Sequence, residues 1–117
     1  MKKIYHLGTC KTCQKVIAAL GGGEGFELQD IKTQRLTPEQ LDELKSLAGS
    51  YEALFSRVAR KYRAMGLHEQ ELSEADYRRL ILEEYTFLKR PVVVLNQHLF
   101  IGSAKKAVEG AKAQLGI

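Results

Sequence analysis

"RPVVVLNQHLFIG", residues 90–102, is where the chain abruptly changes period. Val92 to Leu95 is a short apolar run, Asn96-Gln97 supplies a two-residue turn, and His98 to Ile101 returns as its hairpin partner. Ser103 to Leu115 follows, with Ala107, Val108, Ala111 and Leu115 at helical spacing. The C-terminal part therefore reads strand, strand, helix.

The N-terminal part reads strand, helix, strand. Residues 3–7, "KIYHL", fit a short strand with Ile4 and Leu7 directed to a core. From Thr12 to Leu20, the residues Cys13, Val16, Ile17 and Leu20 share one helical face. "GGGEG" at 21–25 stops that helix, because glycine accepts the left-handed conformations of a helix end. "FELQDI" at 26–31 reads as a second strand in which Phe26 and Leu28 alternate and Ile31 is shifted by one. A βαβ crossover makes the first two strands parallel, while a hairpin makes the last two antiparallel. Together they predict an α/β, thioredoxin-like fold: βαβ plus ββα around a mixed four-stranded sheet.

The intervening residues are helical in pattern. Thr37-Pro38-Glu39-Gln40 combines a hydroxyl cap, a proline at the first helical position and a glutamine three after the cap. Leu41, Leu44 and Leu47 line that helix and Gly49 closes it. "YEALFSRVARKYRAM", 51–65, gives one or two further pieces ending at Gly66, with Arg57, Arg60 and Lys61 on a common face. Such a face either cradles an anion or meets solvent. Ser73 opens another helix, whose buried stripe is Tyr77, Leu80, Ile81 and Tyr85. The expectation is one domain over 1–117, with a helical insertion at approximately 35–88 before the third strand.

At 117 residues, 44% hydrophobic and 27% charged, the chain can bury a core without staples. No run reaches the roughly 18 apolar residues of a membrane span. The first residues lack a cleavage site and read as a strand, not a signal peptide, so a cytoplasmic, reducing location is expected. A net charge of +4 suits anionic substrates but falls short of a dedicated nucleic-acid binder.

Two cysteines stand in "TCKTC" at the junction of the first strand and first helix. Three readings apply: metal ligands, inert core thiols, or a redox pair. Zinc needs four ligands, and His6, His68 and His98 show no ligand-like spacing to the cysteines. Free cysteines often simply fill space. The junction favours chemistry: Cys10 would meet the unpaired N–H groups and dipole of a helix start, which lower a thiol pKa. Lys11 adds positive charge, and Cys13, one turn deeper, can reach the same sulfur as the second thiol. Thr9 and Thr12 flank Cys10 and read as loop or helix caps. His6 reads as a strand residue or as a modulator of Cys10. His98 reads as exposed, and Tyr51, Phe55, Tyr62, Tyr77, Tyr85, Phe87 and Phe100 read as packing.

"TCKTC" after the first strand, "FLKRPVVV" after a helical insertion, then "HLFIG" and a last helix resemble the arsenate reductase (ArsC)/Spx/YffB family over essentially the whole chain. The resemblance implies Cys10 as nucleophile, Cys13 as the resolving thiol of the Spx-like branch, Arg90 supporting an anion or thiolate, and Pro91 after a cis bond. Arginine's planar fork suits an oxyanion. Lys11, Thr12, Arg57, Arg60 and Pro91 are the candidate substrate contacts. Typical arsenate reductases place another arginine after the last strand, where this chain has Ile101-Gly102-Ser103. No bound cofactor or metal is expected. The reductant implied is glutathione with glutaredoxin, or thioredoxin, and the substrate a small oxyanion or oxidised thiol. The same resemblance implies an alternative: a redox-sensing regulator that binds the RNA polymerase α-subunit and is switched by a Cys10–Cys13 disulfide.

Overall fold

A computed structural model describes residues 2–117. Its strands are β1 (Lys2–His6), β2 (Glu27–Asp30), β3 (Val92–Leu95) and β4 (His98–Ile101); its helices are α1 (Lys11–Ala19), α2 (Pro38–Ala48), α3 (Arg60–Ala64), α4 (Glu74–Glu83) and α5 (Lys105–Leu115). The strands form one mixed sheet in the order β2-β1-β3-β4. β1 runs parallel to β2 and antiparallel to β3, and β3 and β4 form the antiparallel hairpin. This is the thioredoxin-like arrangement expected from the two ends of the sequence. Asn96 takes the left-handed conformation that a two-residue hairpin turn requires.

The chain divides into two compact units. One comprises the described residues up to Gln34 together with Arg90–Ile117; the other is Arg35–Lys89.

In the first unit, Ile4, Val93 and Leu95 of the sheet meet Val16 and Leu20 of the α1 segment and Ala111 of α5 in one buried cluster. Phe26, Phe100, Val108 and Leu115 pack around it. Each fully buried aliphatic side chain of this kind contributes roughly 1.5–3 kcal/mol. β2 departs from its sequence pattern. Leu28 pairs with Ile4 on the helix-covered face but is 44% exposed, because β2 is an edge strand. Gln29 is buried instead, its amide donating to the carbonyl of Gln34 at 3.1 Å. Ile31 continues that buried parity.

The second unit is helical. Thr37 and Gln40 close a complete capping box on α2, and Gly49 ends it in the left-handed conformation at φ 96°. Ser73 and Asp76 close a second box on α4. Its core joins leucines, Leu41, Leu44, Leu54 and Leu80 among them, to an aromatic cluster: Phe55 lies 5.0 Å from Phe87 and 4.9 Å from Tyr77 between ring centres, with Tyr62 edge-on. The stretch 51–65 is less helical than its pattern. A 3-10 turn covers Glu52–Leu54, Phe55 makes an antiparallel bridge with Leu88, and α3 begins only at Arg60. Tyr85 likewise lies beyond α4, in a 3-10 turn at Tyr85–Phe87, because Glu84 has left the helical conformation.

Candidate active site

The end of β1 leads into a tight loop, residues 7–10, that delivers Cys10 to the start of α1. Leu7 is buried and anchors the loop, and its carbonyl accepts the Cys10 N–H at 3.0 Å. Cys10 is the N-cap of α1, with extended backbone (φ −89°, ψ 113°), and its carbonyl accepts the Gln14 N–H. No hydroxyl or carboxylate caps this helix, and no acidic residue stands in its first turn. The N–H groups that a serine or aspartate would ordinarily satisfy are left to the sulfur.

The two thiols consequently differ. Partial burial raises the Cys10 pKa, but hydrogen bonds from the N–H and thiol of Cys13, the N–H of Thr12 and the Arg90 guanidinium outweigh it, and the net shift is downward. Cys13 lies in the first turn, fully buried. Burial, with the neighbouring Cys10 sulfur, pushes its thiol up to about 11. Both cysteines are free.

Arg90 reaches Cys10 from the residue before Pro91, and the Arg90–Pro91 bond is cis. The Pro91 carbonyl accepts the Gly102 N–H at 2.8 Å, joining this corner to the end of β4. The Nε of Arg90 is buried and, among the described residues, has no hydrogen-bond partner. Lys11 and Thr12 are exposed at the start of α1. Beside them a shallow groove of about 270 Å³ is lined by Thr12, Lys15, Val16, Ala19, Ser103 and Val108.

The structure thus brings Cys10, Cys13 and Arg90 together, with Pro91 adjoining Arg90. Arg57 and Arg60 belong to the second unit, and the shared face expected of Arg57, Arg60 and Lys61 does not form. Arg57 precedes α3 and lies outside any helix; its guanidinium bonds the Glu52 carboxylate at 2.6 Å and the Tyr77 hydroxyl at 2.9 Å. Lys61 is paired with Glu84 at 2.7 Å. The helical reading failed because the Phe55–Leu88 bridge and a neighbouring bond from Ser56 N–H to the Phe87 carbonyl hold this stretch extended. Thr9 and Thr12 do not cap α1, since Cys10 itself is the N-cap. Among the described residues, no three His, Cys, Asp or Glu side chains are grouped to hold a metal ion.

Two residues around the loop escape sequence reading. Asp30, at the end of β2, accepts the Gly8 N–H at 3.1 Å and the Lys32 N–H at 2.9 Å. Gln14, on α1, donates its side-chain amide to the Gly8 carbonyl at 2.7 Å. The one available signal is a glycine at a strand end two residues before the first cysteine.

Residues 5–111 match the model of the ArsC family. Among solved structures, the YFFB protein is similar at 22% identity, over 95% of this chain and 98% of that one, with a TM-score of 0.81. Arsenate reductase from Vibrio cholerae is similar at 20% identity, over 99% of this chain and 96% of that one, with a TM-score of 0.77. An arsenate reductase (ArsC) related protein from Brucella melitensis is similar at 24% identity, over 93% of this chain and 92% of that one, with a TM-score of 0.72. These likenesses show the fold. No curated protein matches the chain.

Proposed function

Because the chain belongs to the ArsC family, we propose that it is a thiol oxidoreductase in which Cys10 is the nucleophile and Cys13 the resolving thiol. The unequal environments of the two thiols carry this reading. Cys10 is partly exposed and surrounded by donors that favour its thiolate, whereas Cys13 is buried and held neutral within hydrogen-bond reach. A thiolate is the attacking species, and a neutral neighbour can supply a proton before attacking in turn.

In the proposed reaction the Cys10 thiolate attacks an oxyanion or an oxidised sulfur substrate and forms a covalent adduct. Cys13 then attacks Cys10 Sγ, the bond from Cys10 to the substrate breaks, and a Cys10–Cys13 disulfide remains. The two thiols together give up two electrons and two protons. With an oxyanion such as arsenate, these leave as arsenite and one water. Arg90, whose buried Nε has no partner among the described residues, offers a donor to negative charge beside the sulfur. Glutathione with glutaredoxin, or thioredoxin, would return the disulfide to two thiols.

Arsenate turnover measured with each reductant system, beside a Cys10→Ser variant, tests the reading. Turnover that vanishes in the variant is expected; full turnover in Cys10→Ser overturns it. The absence of an arginine at Ile101-Gly102-Ser103 leaves other oxidised thiol substrates as the proposal's second arm. A regulatory reading is favoured by the Cys-x-x-Cys pair itself: its disulfide would switch binding to a partner such as the RNA polymerase α-subunit. Redox-dependent capture of that subunit without turnover would select it.

A further inference from the structure

The loop that carries Cys10 is held from two sides by side chains. From β2, the Asp30 carboxylate receives the Gly8 N–H at 3.1 Å across 22 residues of sequence. From α1, the Gln14 amide reaches the Gly8 carbonyl at 2.7 Å. Gly8 itself is fitted to this clamp. Its φ is not in the left-handed region, so backbone freedom does not explain the glycine. A Cβ there would stand 2.7 Å from Asp30 Oδ2, a separation that real Cβ atoms do not show. With any larger residue here, the Asp30 carboxylate would have to move off the Gly8 N–H.

We infer that Asp30, with Gly8 and Gln14, is the positioning device that fixes Cys10 at the N-cap of α1. This rests on the proposed role of Cys10 as nucleophile. The physical link is short. The donors acting on Cys10 Sγ include the backbone N–H groups of Thr12 and Cys13, so their alignment depends on where the Cys10 backbone sits. Cys10 follows Gly8 by two residues, and a peptide plane that tilts at Gly8 moves the sulfur away from those donors. Hydrogen bonds to the thiolate weaken steeply with such misalignment. Asp30 is itself kept charged, chiefly by the Lys32 N–H and, after the opposing effect of burial, by the Gly8 N–H. Its negative charge is thereby committed to backbone donors. The charged or titratable groups in play are Cys13 on α1 and Arg90 ahead of β3 for Cys10, and His6 on β1 facing Asp30.

The sign of one measurement separates positioning from the two simpler roles. Iodoacetamide labelling of Cys10 is followed against pH in the full chain, with the labelled residue identified by mass spectrometry. If Asp30 positions the loop, Asp30→Ala raises the labelling midpoint and slows labelling at neutral pH by roughly three- to tenfold, since one pKa unit is tenfold in thiolate fraction. Asp30→Asn keeps an acceptor for the Gly8 N–H, so its midpoint stays closer to that of the parent. Gly8→Ala displaces the carboxylate and reproduces the Asp30→Ala profile, but adds nothing in the Asp30→Ala background, where the clash is gone.

A lower midpoint in both Asp30 variants means that the aspartate acts only by its charge and overturns the inference. An unchanged midpoint with reduced thermal stability means a merely structural role, and also overturns it. A parent protein whose Cys10 labels like an ordinary thiol overturns the proposed function and the inference together. A parent midpoint that is low, yet indifferent to Asp30→Ala and Gly8→Ala, overturns the inference alone. If Asp30→Ala does not fold, Gln14→Ala, which removes the other hold on Gly8, decides the matter: a raised midpoint is expected and an unchanged one overturns the inference.

Discussion

Burial holds the Cys13 thiol neutral and pushes it up to about 11 from the ordinary value of 9.0, which ties folding to alkaline pH. The unfolded thiol ionises first, so this contribution to stability is fully present below pH 9.0 and is lost as pH rises toward about 11. A Cys13→Ser variant has no such group to titrate. Its urea midpoint should therefore fall less steeply than that of the parent over this range, and parallel curves would contradict the assignment. Cys13 is legible as the deeper thiol because it shares a helical face with Val16 and Leu20, all three buried. Asp30 is not legible. Its tie to Gly8 joins positions 22 apart and follows from the pairing of His6 with Asp30, which no local pattern encodes.

Among the elements, α5 comes up against the Phe100 ring of β4 at a glycine. Gly110 lies inside α5, where alanine would ordinarily be preferred by about 1 kcal/mol. A Cβ at this position would come within 2.7 Å of the Phe100 ring. Gly110→Ala should accordingly lower stability, by about 1 kcal/mol or more as the ring is forced aside. In a Phe100→Leu background the same substitution should be neutral or stabilising. A double-mutant cycle of urea midpoints checks this reversal, and an equal effect in both backgrounds would refute it. Helices with complete caps were legible as elements: Thr37 and Gln40 on α2, Ser73 and Asp76 on α4. The stretch around Arg57 was not, because its apparent helical spacing is overridden by the Phe55–Leu88 bridge. Leu28 misled for a related reason: its apolar character says nothing of the exposed edge on which β2 lies.

At the scale of the molecule, β1 is one of the two inner strands of the sheet. It pairs with β2 on one side and β3 on the other, and Ile4 at its centre is fully buried. Ile4→Ala should cost about 2–5 kcal/mol, read as a loss of urea stability, with the fraction of folded protein falling accordingly. A cost well under 1 kcal/mol would place the core elsewhere. The topology was legible because the hairpin and the βαβ unit lie at opposite ends of the sequence, each with its own period. That same separation has a consequence in time. The candidate site joins Cys10 to Arg90, and about 55 residues, Arg35–Lys89, are made between the two halves of its unit. At ~5–20 residues per second of synthesis, several seconds pass in which β1 exists without its partner β3. Throughout that interval the growing chain carries Cys10 without the arginine whose hydrogen bond is one of those that lower its pKa. The full set of donors around the Cys10 sulfur is complete only when one of the last segments to be made has arrived.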